Sequence, residues 1–393
     1  MNRNIEKFKR ALNKFLDDNP NVDFDLVKND FIEMYNNGEY IVKDDYENAS
    51  ELYYETFNLE NDEEIKVTLN KVLEIYPFYY DAKIDLLDLN EESLDKYVAL
   101  YNEIKSKIEN EIDLNEINGN LWNVIEYRPL LRIIMSIGVS LLENNDISCI
   151  DYFEEAFYYD ENIMIKQDIF LFQAYLKFNM PNKALEFLDE LGADVPSAYH
   201  IIHALALMMI ENYDKALDEF LVASLDNPFY LPIITGLLEL KEEDILQIEN
   251  ELYIEPHSIF EAYLNITNLK HAFIAADDYV HNFVDYNQQE LINYLYPNNI
   301  EFDILSKMMS IEPKMIKELV EFLIDPNSLS NGIGQSLIDL KKSDLKNIIL
   351  NMSKKGFIKK DENKYEISYY GFCVLRKILE SFTGDVVEWK SLY

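Results

Sequence analysis

Residues 199–228 read YHIIHALALMMIENYDKALDEFLVASLDNP, and this stretch decides the fold. Ala216, Phe220 and Ala223 stand at i, i+4 and i+7, one face of an α-helix. Ala204 and Leu207 present a matching face on a helix just upstream. Asn212 and Tyr213 mark the turn between the two, and Pro228 closes the unit. Small side chains at 204 and 216 let two helix axes approach, while Phe220 fills the wider gap.

The layout recurs upstream. FLFQAYLKFNMPNKALEFLDEL, residues 170–191, repeats it with Tyr175, Ala184, Leu188 and Leu191, and Cys149, Phe153 and Ala156 repeat it again. The equivalent small residues 149, 184 and 216 are 35 and 32 apart, which brackets the 34-residue tetratricopeptide period. A weaker copy runs through Ile65, Leu69, Val72 and Pro77. Near-constant spacing over several copies predicts stacked helix pairs, an all-α solenoid with the right-handed superhelix of tetratricopeptide arrays. The segment before it predicts two amphipathic helices. One has Ile5, Phe8, Leu12, Phe15 and Leu16 inward, the other Leu26, Phe31 and Met34. The expected division is a helical cap over 1–44, an acidic repeat domain over 45–300 and a separate module over 301–393.

At NLWNVIEYRPLLRI, residues 120–133, the string Trp122, Glu126, Tyr127, Arg128, Pro129, Arg132 opens a repeat. With Ala216, Asn227-Pro228 and Leu231-Pro232, it resembles a group of bacterial tetratricopeptide-repeat proteins related to the eukaryotic suppressor-of-tumorigenicity family, over roughly residues 45–285. The resemblance implies a helical repeat fold and a binding role, without a settled activity. Asn145 stands where that family has a turn glycine, and Ile150 crowds the small position beside Cys149. Read locally, Pro129 suits the first turn of a helix, where its missing N–H costs nothing. Arg128 and Arg132 share a helix face. They are expected either to brace the solenoid by pairing with Glu126 or to receive an anionic ligand, with the brace favoured.

From residue 313 the pattern changes. PKMIKELVEFLID, GQSLIDL and KSDLKNIILNMSKKG predict three helices, the last stopped by Gly356. GFIKK-DENK-YEISYYG alternates as a hairpin, and Phe372, Leu375, Ile378 and Leu379 form a closing helix. Three helices, a hairpin wing and a final helix resemble a winged-helix α+β domain. The chain's net charge of −38 lies in residues 1–300, because 301–393 carry 14 basic and 14 acidic side chains. Within 341–360, seven lysines face one acid, Asp344. Lys346, Asn347, Asn351, Lys354 and Lys355 on the third helix, with Lys359 and Lys360 on the wing, form a candidate nucleic-acid or docking face. Three readings stay open for it: DNA binding, protein docking, and docking on the acidic part of the same chain.

Chemistry-bearing motifs are few. His200 and His203 are three apart in a helix, but no further ligand follows at a matching offset, so no metal is expected. NGIGQS at 331–336 lacks the Lys-Ser/Thr of a phosphate loop. Cys149 and Cys373 form no disulfide framework. The longest apolar stretch, IIHALALMMI, is too short to span a bilayer. The expectation is a cytoplasmic, non-enzymatic scaffold or adaptor without cofactor. In the usual repeat register Ile169, Gln173, Leu176, Ile201, Leu205 and Met208 line a concave groove for a basic or amphipathic peptide or protein. On that register, placing Glu at 205 and 208 abolishes capture without unfolding. Tyrosine runs in ELYYETF, YPFYYDAK and FEEAFYYDEN either line grooves between repeats or fill cores. The alternative is a transcriptional regulator whose repeats sense a peptide or protein and whose winged helix binds DNA.

Overall fold

The computed structural model describes residues 3–22, 24–114, 119–161, 166–191, 195–238, 254, 256–310, 342–361, 364–371 and 373–374. Among these the protein is mainly α-helical, with one two-stranded hairpin. The chain divides into two compact units, residues 1–171 and 172–393, rather than at the boundaries near 44 and 300 that the sequence suggests.

The first unit opens with α1 (Arg3–Asp18) and α2 (Phe24–Asn36), an antiparallel pair closed on Ala11, Phe15 and Phe31. Phe8 and Tyr35 pack on the same cluster, and their rings meet edge to face at 5.1 Å. Ile5, expected inward, is 53% exposed, because this core is centred one turn further along, on Ala11 and Phe15. The opposite side of α1 carries Arg3, Lys7 and Arg10 at i, i+4 and i+7. It meets α3 (Asp45–Glu55) through charge: Lys7 Nζ lies 2.9 Å from Glu51, Arg10 lies 2.9 Å from Asp44 and 3.2 Å from Glu47, and Arg3 pairs with Glu47.

Next come α4 (Asp62–Ile75) and α5 (Tyr80–Leu89), which share with α3 a core of Ala49, Tyr53, Leu69, Val72, Tyr79 and Ala82. Asn61 caps α4 by accepting from Glu63 N–H at 2.9 Å, and three acids in its first turn complement the helix dipole. Then follow α6 (Leu94–Glu111), α7 (Arg128–Glu143) and α8 (Cys149–Tyr159). Cys149, Phe153 and Ala156 of α8 are fully buried. Gly138 of α7 makes their approach possible: a Cβ there would come within 2.5 Å of the Phe153 ring.

The second unit takes in the end of α9 (Gln167–Lys177), then α10 (Pro181–Leu191), α11 (Ser197–Met209), α12 (Tyr213–Asp226) and the short α13 (Tyr230–Ile234). Ala184, Ala204, Ala216, Phe220 and Ala223 have no exposed surface. Further on lie α14 (Ile259–Asn268), α15 (Lys270–Tyr286), α16 (Gln288–Leu295) and α17 (Asn299–Ser310). Phe283 of α15 meets Phe220 edge to face at 5.5 Å. Helix α18 (Lys342–Lys354) precedes β1 (Ile358–Asp361) and β2 (Lys364–Ile367), antiparallel with Ile358 opposite Ile367. Gly356 ends α18 at φ +77°, as its position after the last turn requires. The helices expected over 313–325 and 334–340, the NGIGQS loop and the closing helix beyond residue 374 lie outside the described residues.

Four turns repeat one geometry. Glu91, Asn145, Asn179 and Glu211 all have φ between 49° and 60°, and each joins two consecutive helices: α5 to α6, α7 to α8, α9 to α10, α11 to α12. At Asn145 the N–H reaches Leu142 O, and the next N–H reaches Leu141 O. The same pair of bonds occurs at Glu91, Asn179 and Glu211, satisfying carbonyls that a helix end leaves open. No described helix is long and apolar enough to cross a membrane.

Candidate functional site

The expected groove is not a groove. Leu176, Ile201, Leu205 and Met208 have no exposed surface and Gln173 is 1% exposed, while Ile169 is half-buried. The physical reason is that α11 is apolar around most of its circumference, His200 and His203 apart, and is packed by α10, α12 and α15. Gln173 is spent internally: its amide donates to Asn268 O at 3.2 Å and its oxygen accepts from His271 N–H at 3.2 Å, fixing the α14–α15 corner.

The Trp–Arg–Pro string forms a clamp in the first unit. Two 3-10 turns, Leu121–Asn123 and Ile125–Tyr127, lead into α7, with Pro129 in its first turn. Arg128 is 6% exposed, stacks on the Trp122 ring at 4.7 Å and donates through Nε to Trp122 O at 2.6 Å. Burial lowers its proton affinity. Trp122 N–H in turn donates to the buried Asp160 at 3.3 Å, and Gln167 donates to the Asp160 carbonyl.

Arg132 points the other way, toward α5. Its guanidinium pairs with Asp81 and, at 2.7 Å, with Asp85, one helical turn apart. Tyr53 OH donates to Asp85 at 2.7 Å and lies 3.4 Å from Arg132 Nη1. The expected partner, Glu126, instead sits 3.9 Å from Arg10 Nε. A sequence neighbour loses here to two carboxylates that α5 holds at the right height. Of the two expected roles, Arg132 takes the brace, with aspartates replacing the glutamate.

Around Arg132 lies a chamber of about 260 Å³, bounded by Glu6, Tyr46, Tyr53, Tyr54, Phe57, Tyr79, Asp81, Asp85 and Ile125. A smaller one, about 140 Å³, adjoins it at Tyr46, Tyr79 and Asp81 and extends to Phe78, Lys107 and Glu111. Glu6 is 2% exposed and accepts from Tyr46 OH at 3.0 Å. Burial and the nearby carboxylates raise the phenols of Tyr46, Tyr53, Tyr54 and Tyr79, so they stay neutral hydroxyls. Burial also raises the Asp81 carboxyl; Arg132 opposes this, and Asp85 and Glu6 add to it. The tyrosine runs in the sequence announce these rings. Nothing local in the sequence brings Glu6, Tyr53, Asp81 and Arg132 together.

The lysine face splits in two. Lys346, Asn347, Lys354, Lys359 and Lys360 are exposed. Lys355, half-buried, and Asn351, exposed like the others, bond Glu301 of α17, at 3.2 and 3.1 Å. Glu301 is 1% exposed and also accepts from Asn298 N–H at 2.9 Å, closing a capping box at the start of α17. Beside it, Tyr370 OH donates to Leu295 O at 2.9 Å.

His200 and His203 share one acceptor that sequence spacing does not reveal, Glu219 of α12: their Nδ1 atoms lie 2.6 and 3.2 Å from its two oxygens. Among the described residues no group of three or more His, Cys, Asp or Glu side chains is arranged to hold a metal ion. In comparisons with known proteins, no family model, no curated protein and no solved structure matches the chain.

Proposed function

We propose that the protein is a non-catalytic interaction protein of the tetratricopeptide-like solenoid type, with a winged-helix-like module near its C-terminus, and that it binds a peptide or protein partner. The four identical left-handed turns and the recurring small–aromatic packing favour the repeat reading. The helix–hairpin order of residues 342–367 favours the module. The observation that carries the binding role is the tyrosine- and carboxylate-walled chamber of the first unit. Rigid aromatic walls with polar tips give contact area at low entropic cost, and suit peptide side chains better than an apolar core does. The binding face is therefore placed here rather than on α9 and α11. Screening the full chain against a random peptide library tests the role: selective, saturable binding that Tyr54→Ala reduces is expected. A library without any selected sequence would end this reading.

A second reading rests on the exposed Lys346, Asn347, Lys354, Lys359 and Lys360. In it the C-terminal module contacts DNA, and the protein is a regulator. Lysines on phosphates would give a binding constant that falls steeply with salt. A gel-shift series over salt concentration separates the two: no shift at low salt removes the regulator.

A further inference from the structure

We propose that the chamber between α3, α5 and α7 is a receptor for one guanidinium group, the side chain of an arginine presented by the partner. This rests on the reading of that face as a peptide-binding surface and supplies the chemistry of its ligand. Three observations carry it.

The first is size. About 260 Å³ lies just below the usual range of small-molecule pockets, roughly 300–1,000 Å³, so the chamber suits one long side chain rather than a cofactor.

The second is charge. Glu6, Asp81 and Asp85 face one resident cation, Arg132. Arg3 stands 3.8 Å from Glu6, but its hydrogen bond goes to Glu47. The walls therefore hold more carboxylates than cations. Burial is the main cause of the raised proton affinity of Asp81; Asp85 and Glu6 add to it, and Arg132 opposes it.

The third is how the chain seats its own arginines on these rings. Arg10 lies over Tyr46 at 4.3 Å with its charge on Asp44. Arg3 lies over Tyr54 at 5.6 Å with its charge on Glu47. Arg132 reaches the Tyr53 hydroxyl, at 3.4 Å, rather than its ring, with its charge on Asp81 and Asp85. In each case a tyrosine meets the guanidinium and a carboxylate takes its N–H groups. Lys105, over Tyr101 at 5.4 Å and 2.7 Å from Glu155, and Lys83, over Tyr80 at 5.0 Å and 2.7 Å from Glu103, make the same pairing, so it is the flat fork of donors, matched to two carboxylates one turn apart, that favours arginine over lysine. At the rim, Phe57 is 62% exposed, in place to cover the aliphatic stem of an incoming arginine.

The test uses the full chain and three nine-residue Gly/Ser peptides whose central residue is arginine, lysine or citrulline, titrated by NMR chemical shift. Citrulline keeps the shape and removes the charge. The arginine peptide should bind saturably, about tenfold or more tighter than the citrulline peptide and measurably tighter than the lysine peptide. Asp85→Asn should erase the preference for arginine over citrulline. Phe57→Ala, at an exposed position whose ring meets Tyr53 and Tyr54 edge to face, should weaken arginine binding severalfold, with circular dichroism confirming an unchanged helix content. Equal binding of arginine and citrulline peptides, or arginine binding indifferent to Phe57→Ala, overturns the inference. If library peptides still bind without arginine preference, the interaction role survives on another face. If no peptide binds at all, both fall.

Discussion

The surroundings of α11 and α12 and those of Arg132 use polar groups in opposite ways. Around α11 and α12, in residues 172–393, buried polar side chains mainly hold the backbone. Gln173 holds the α14–α15 corner, and Asn227, fully buried, donates to Ser258 O at 2.9 Å and Glu261 at 3.0 Å. Around them the packing is aliphatic and filled: Ile201, Ile202, Ala204, Leu205, Ala206 and Met208 have no exposed surface at all. In residues 1–171, around Arg132, polar groups instead face one another across open volume, as tyrosine hydroxyls, carboxylates and guanidiniums. A filled apolar core has one arrangement, and every inserted charge is ruinous. A partly solvated network of rings and charges can exchange one cation for another. Under the proposed binding role, recognition falls to the region whose interactions are interchangeable.

The filled core is least tolerant at Leu205. Leu205→Glu places an unpaired carboxylate in a fully enclosed site and should cost about 5 kcal/mol, enough to unfold residues 172–393. Urea denaturation followed by circular dichroism measures it. A variant that keeps its midpoint would reinstate α11 as an open, partner-facing helix.

Glu301→Ala comes next. It strips a buried acceptor from Lys355, Asn351 and the Asn298 N–H together, and should cost about 3 kcal/mol. The loss should be local, so amide exchange in α18 and the β1–β2 hairpin should accelerate first. Uniform acceleration over α10–α12 as well would mean that this corner is not a separable contact.

How much of this was legible in the sequence follows the range of the interactions. The small–aromatic stripes at 149–156 and 204–223 show because a helix repeats every 3.6 residues, and burial along that period is written locally. The hairpin shows because strands alternate. The usual repeat register puts a groove on α11, whereas a helix apolar around all but its His200–His203 edge announces its own burial. Sequence proximity offers Glu126 as the partner of Arg128 or Arg132, whereas the carboxylates that Arg132 meets, Asp81 and Asp85, lie about fifty residues away. The chamber assembles side chains from positions 6 to 132, and no local pattern encodes such a meeting.

Acid sharpens the contrast within the first unit. Burial opposes ionisation of Asp44, but its bond to Arg10 prevails and lowers its pKa; a bond to Lys7 lowers that of Glu51. For a depressed carboxylate the contribution is complete above the ordinary range near pH 4 and is lost as pH falls through the lower, folded value. Asp81 runs the other way: its raised pKa means that protonation relieves a cost, so the chamber loses nothing from the first protons taken up. The attachment of α1 to α3 should therefore loosen near pH 3 while α4, α5 and α7 hold, and added salt should help it loosen. Proteolysis between residues 37 and 44 reports the change. Equal resistance at pH 7 and pH 3 would show that apolar contact, not charge, fastens α1.

The smallest effect lies in the repeated turns. Asn145 and Asn179 tolerate positive φ because a short amide side chain can support itself there, but Glu91 and Glu211 carry a Cβ and a longer stem into the same region at φ 49° and 60°. Glycine has no such penalty, although it gives the unfolded chain more freedom, which returns part of the gain. Glu211→Gly should on balance stabilise the protein by about 0.5–1 kcal/mol, a rise of a few degrees in melting temperature at most. Glu211→Ala keeps the Cβ and should give no such gain. If the two variants behave alike, the side chain rather than the backbone sets the cost, and the turn is not the shared structural element that ties the α11–α12 pair to those before it.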